Sequence, residues 1–73
     1  MNKTFVKVKA YDRIINDWIV SFINPEKIIQ LSSLIDDGCV INIVKFDDMA
    51  IRVSNESYAK LVKMLYGKEP ENV

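Results

Sequence analysis

At 73 residues and 8.4 kDa the chain is one domain at most, and a chain this short buries only ~60% of its extended surface on folding. Ten Lys+Arg balance ten Asp+Glu, a net charge that excludes a uniformly basic nucleic-acid clamp and a uniformly acidic DNA mimic. The absence of His and the single Cys exclude zinc fingers, intramolecular disulfides and His-based acid/base catalysis, while 49% hydrophobic and 27% charged residues place the chain with folded proteins.

No run reaches the roughly 18 apolar residues that span a bilayer. Lys3, Lys7 and Lys9 interleave with apolar residues, unlike the continuous apolar stretch of a signal peptide. A cytoplasmic protein with a reduced Cys39 is therefore expected, with no membrane partner.

Residues 3–11 alternate, with Val6, Val8 and Ala10 on one face and Lys7 and Lys9 on the other, the period of a half-buried strand. Asn16-Asp17 reads as a two-residue turn, so residues 18–23 return as a second strand. That turn sets Ile15 opposite Trp18, Arg13 opposite Val20 and Tyr11 opposite Phe22. Asn24-Pro25 breaks the strand. Residues 28–35 form a third strand, Asp37-Gly38 is the strongest hairpin signal in the chain, and residues 39–46 form a fourth. Asp47-Asp48 is a second two-residue turn into a fifth strand at 49–53. Ser54 and Asn55 suit a helix N-cap, Glu56 favours the first turn, and Gly67 suits the left-handed stop. Between them Tyr58, Leu61, Val62 and Leu65 follow the spacing of one buried helical face.

The fold expected is α+β: a small antiparallel five-stranded sheet, open or curled toward a barrel, followed by one C-terminal helix. Residues 1–67 form the single domain and 68–73 a flexible tail. The second and fourth strands are apolar on both faces, and one short helix cannot cover two faces of such a sheet. The uncovered face must curl onto itself, pack on another subunit, or receive a partner, so a homo-oligomer is expected.

Chemistry is sparse. Asp36-Asp37 and Asp47-Asp48 fit turns better than a metal site, because Asp bonds nearby backbone N–H groups and tolerates left-handed conformations. Cys39 has no activating base and reads as a small buried hydrophobe. No catalytic residue, metal ligand or cofactor site is assigned. The sharpest grouping is the first hairpin, where Tyr11, Arg13, Ile15, Trp18 and Phe22 form a candidate partner-binding face, and Lys7, Lys9 and Arg13 supply cations for a candidate nucleic-acid contact.

The stretch Ile23-Asn24-Pro25-Glu26-Lys27-Ile28-Ile29, the Asp37-Gly38 hairpin into Val40-Ile41-Asn42-Ile43, and Ile51-Arg52-Val53-Ser54-Asn55-Glu56-Ser57 have the layout of a strand, an Asn-containing break, a hairpin and a Glu-Ser helix entry. This layout resembles the FlbD-type small swarming-motility proteins and similar short phage and low-GC bacterial proteins. The resemblance implies a non-enzymatic accessory protein working through protein contacts. The expectation is thus a small regulatory or inhibitory binding module, with single-stranded nucleic-acid binding and small-molecule sequestration between subunits as alternatives.

Overall fold

A computed structural model describes residues 5–67. The expected start of the first strand at residue 3 and the expected tail at 68–73 lie outside the described residues. Strands β1 (Val6–Asp12) and β2 (Asp17–Ile23) form a hairpin. A 3-10 turn at Pro25–Lys27 leads to the meander β3 (Gln30–Asp36), β4 (Cys39–Lys45) and β5 (Ala50–Val53), which enters helix α1 (Asn55–Tyr66). The sheet is antiparallel in the order β2-β1-β5-β4-β3. It does not close into a barrel, so β2 and β3 remain edges.

Local chemistry accounts for most junctions. Asp37 and Gly38 hold φ of 54° and 79°, the paired left-handed conformation of a tight hairpin turn. Asn24 caps the 3-10 turn by accepting the Glu26 N–H at 3.0 Å, and Pro25 opens it. Ser54 caps α1 through the Ser57 N–H, and Gly67 stops it at φ 76°. The β4–β5 register, Lys45 opposite Ala50, agrees with a turn centred on Asp47-Asp48, across which Phe46 N–H donates to the Met49 carbonyl.

The first hairpin departs from expectation. Its connection is the four residues 13–16, and the register sets Tyr11 opposite Trp18, Lys9 opposite Val20 and Lys7 opposite Phe22. Arg13 and Ile15 therefore lie in the turn, not opposite Val20 and Trp18. The cause is Asp12: its Oδ1 accepts the N–H groups of Ile14 at 2.8 Å and Ile15 at 3.3 Å, and Asn16 takes a left-handed φ of 58° to rejoin the ladder. The turn moved by an even number of residues, so every strand residue kept its face.

Helix α1 packs over β4 and β1. It buries Val6, Val8, Ile23, Val44, Val53 and Leu61 in one cluster, with Ile28, Leu31, Phe46, Ile51 and Tyr58 against it. The helical stripe that reaches the core is Ser57, Tyr58, Leu61 and Val62. Leu65, expected in that stripe, is 40% exposed, as the packing ends one turn earlier.

Strands β1 and β5 share a single residue pair, Ala10 with Val53, at the last residue of β5, although all four residues of β5 pair with β4. The helix takes over where β5 stops. Ser54 N–H donates to the Lys9 carbonyl at 3.0 Å, Ser57 Oγ accepts the Lys9 N–H at 2.9 Å, and Lys60 Nζ reaches the Lys7 carbonyl at 3.0 Å. The backbone of β1 is thereby satisfied by the cap N–H and by two helix side chains where a longer strand would otherwise serve.

Candidate functional site

With α1 on the Val6–Val8–Ala10 side, no element among the described residues covers the opposite side of the sheet. Alternation and register place Phe22, Val20 and Trp18 of β2 there, beside Lys7, Lys9 and Tyr11 of β1, Arg52 of β5, Ile41, Ile43 and Lys45 of β4, and Leu34 of β3. Phe22 is 65% exposed at one corner.

Three of these side chains form a cluster. The Tyr11 and Trp18 rings meet edge to face, with centroids 5.3 Å apart and planes at 71°. The Arg52 guanidinium lies 5.4 Å from the Tyr11 centroid and 5.5 Å from the Trp18 centroid, so one cation serves both rings. Tyr11 Oη donates to Asn16 Oδ1, which ties the ring to the turn.

The charge on this face is uneven. Lys7, Lys9, Lys45 and Arg52 project from it, and the carboxylate of Asp36 lies at its far corner, opposite Cys39. The chain's neutrality therefore conceals a cationic face, since Asp12 and Asp17 belong to the opposite alternation and Asp37, Asp47 and Asp48 to turns.

Of the residues singled out from sequence, Tyr11, Trp18, Phe22, Lys7 and Lys9 do share this face, whereas Arg13 and Ile15 stand off it in the turn. Arg52 was missed. Its signal was present, since it occupies the outward position of an alternating strand, but its neighbours depend on β5 pairing with β1, which no local pattern announces. Cys39 is exposed, not buried as expected, because it follows the tight turn at the sheet's end. Among the described residues no group of three or more His, Cys, Asp or Glu could hold a metal ion, and no helix is long and apolar enough to cross a membrane.

A second feature lies at the far end of β2. An open groove of about 630 Å³ runs between Phe22–Asn24, Lys27, the Phe46–Met49 turn and Ile51. Its floor is apolar, through Ile23, Phe46, Met49 and Ile51, and Asp47 and Asp48 stand among its lining residues.

Comparison with family models, with curated proteins and with solved structures found no match.

Proposed function

We propose that this protein is a non-enzymatic binding module, regulatory or inhibitory in kind, that takes a protein partner on its open sheet face. The observation that carries this reading is the Tyr11–Trp18–Arg52 cluster. Trp, Tyr and Arg are the residue types that dominate binding energy at protein interfaces, and here the three are already in contact, with Tyr11 bonded to Asn16. Phe22 and Val20 extend the apolar surface, while Lys7, Lys9 and Lys45 fit a partner whose apolar anchor is flanked by carboxylates. Panning a display library of short random peptides tests this. Wild-type protein should enrich apolar sequences bearing Asp or Glu, and Trp18→Ala and Arg52→Glu should lose that enrichment while remaining folded by circular dichroism. Equal enrichment on wild type and both variants sinks the reading.

The four cations favour a second reading, single-stranded nucleic acid on the same face, in which Phe22 stacks on a base and Lys7 and Lys9 follow the phosphates. The rings of Tyr11 and Trp18 are less suited to stacking, because each already faces the other or Arg52. Titrating a 20-nucleotide oligothymidylate against Trp18 fluorescence at low salt decides this. Binding that weakens steeply with salt and with Lys7→Glu supports it, and an unchanged emission removes it.

A further inference from the structure

Strand β2 is an edge of unusual composition. From Trp18 to Ile23 it carries neither charge nor proline, the usual devices that keep an edge from pairing. Its outward backbone follows from β1: the Lys9 N–H and C=O and the Lys7 C=O turn toward α1 and its cap. Val6, Val8 and Ala10 therefore bond across to Ile23, Ser21 and Ile19, and Trp18, Val20 and Phe22 of β2 direct theirs outward. The Trp18 N–H meets the carboxylate of its own neighbour Asp17 at 2.7 Å. Among the described residues, the groups of Val20 and Phe22 have no such cover.

Two further features lie at the two ends of this edge. Before it stands the turn, with Arg13, with Ile14 94% exposed, and with Ile15 also exposed. After it lies the groove, apolar on its floor and bearing Asp47, Asp48 and Lys27. We infer that β2 pairs antiparallel with β2 of a second copy about a two-fold axis at Val20, and that each copy's Ile14–Ile15 turn seats in the other's groove. The outward set Trp18, Val20 and Phe22 is symmetric about Val20, so this register alone matches all outward residues with outward residues. Val20 N–H then bonds Val20 C=O, and Phe22 N–H bonds Trp18 C=O, each twice. Trp18 meets Phe22 across the axis, which joins apolar surface to apolar surface.

The same operation sets Asn16 of the second copy opposite Asn24 and its Ile15 beside Pro25, at the mouth of the groove. Arg13 of the second copy then enters a groove lined by two carboxylates, Asp47 and Asp48, against one cation, Lys27, a net negative charge that suits it. Area argues for both contacts together. A seven-residue strand is about 23 Å long, and its edge alone falls short of the ~800 Å² per partner of a stable interface. Seating two isoleucines in each groove adds the apolar part. The pairing uses the edge and leaves the sheet face uncovered, so it does not rest on the open-face reading.

Sedimentation equilibrium over a concentration series tests this, with circular dichroism as the control for folding. The mass should rise from 8.4 kDa toward twice that value. Ile14→Asp should raise the dissociation constant roughly tenfold or more, and Val20→Pro, which removes an outward N–H and no ladder bond, should do the same. Arg13→Glu should raise it roughly threefold to tenfold, and adding Asp47→Arg and Asp48→Arg in the same chain should restore it. These charge exchanges are on the surface and decide the matter even where Val20→Pro does not fold. A single 8.4 kDa species up to about 500 µM, well above the dissociation constants of specific interfaces, overturns the inference. So does a dimer that Ile14→Asp and Arg13→Glu leave unchanged. Peptide binding does not enter this readout, so failure of the open-face reading is seen separately.

Discussion

Lys9 and Ser57, 48 positions apart, are joined by a bond from the Lys9 N–H to Ser57 Oγ at 2.9 Å. The same Ser57 donates its own N–H to the cap residue Ser54, at 3.2 Å. One small side chain thus fixes the first turn of α1 to the inner edge of β1. Ser57→Ala leaves a half-buried backbone N–H without its acceptor and should lower stability by ~1–2 kcal/mol. Urea unfolding followed by Trp18 fluorescence measures it, and a midpoint equal to wild type refutes the role.

Asn42 is 3% exposed on the helix-covered side of β4. Its Oδ1 accepts from Ser33 Oγ at 2.8 Å, and its Nδ2 donates to Asn55 Oδ1 at 2.7 Å and to the Val53 carbonyl at 3.4 Å. It connects β3, β5 and the start of the helix. Asn42→Ala should cost ~1–3 kcal/mol, read as a lower urea midpoint. A loss below about 0.3 kcal/mol, the scatter of independent sites, contradicts a network of this kind.

Leu61 and Leu65 lie one turn apart on α1, yet Leu61 is fully buried and Leu65 is 40% exposed. Leu61→Ala should cost ~2–5 kcal/mol, in a domain so small that unfolding at room temperature is the expected result. Leu65→Ala should cost less than about 1 kcal/mol. Thermal melts of the two variants, compared side by side, check the contrast, and equal losses invalidate the packing described for the last turn.

Arg52 joins Tyr11 and Trp18 by its charge, not by a hydrogen bond. Arg52→Gln should lower stability by ~0.5–1 kcal/mol and should change the near-ultraviolet circular dichroism of the two rings. Retention of the wild-type spectrum in this variant means that the cation does not order the cluster.

The order of elements and the sheet faces were legible because their signals are local. Alternation in β1 and β5, the Asp37-Gly38 turn, Ser54 as cap and Gly67 as stop each depend on a few adjacent residues. The first turn was misread for a reason of the same scale. Asn16-Asp17 was the conspicuous pair, but Asp12 gathers two backbone N–H groups and draws the turn two residues earlier. The parity of that shift preserved the grouping of Tyr11, Trp18 and Phe22 on one face. Asn42 and Ser57, both buried and polar, were not legible, because their bonding partners are distant in sequence. Nor was Arg52, which gains its place only when β5 pairs with β1.

The single pair between Ala10 and Val53 has a consequence for how the chain assembles. Each side of that seam, the β1–β2 hairpin and the β3–β4–β5 meander, is built from neighbours in sequence and forms quickly. The two meet in the core, where Val6, Val8 and Ile23 pack with Val44, Val53 and Leu61, and the bonds from Ser57 to Lys9 and from Lys60 to Lys7 span most of the described chain. During synthesis that core lacks Leu61, and its apolar side stays bare, until α1 has left the ribosome. The latest element to emerge among the described residues is the one on which the cooperative unit depends.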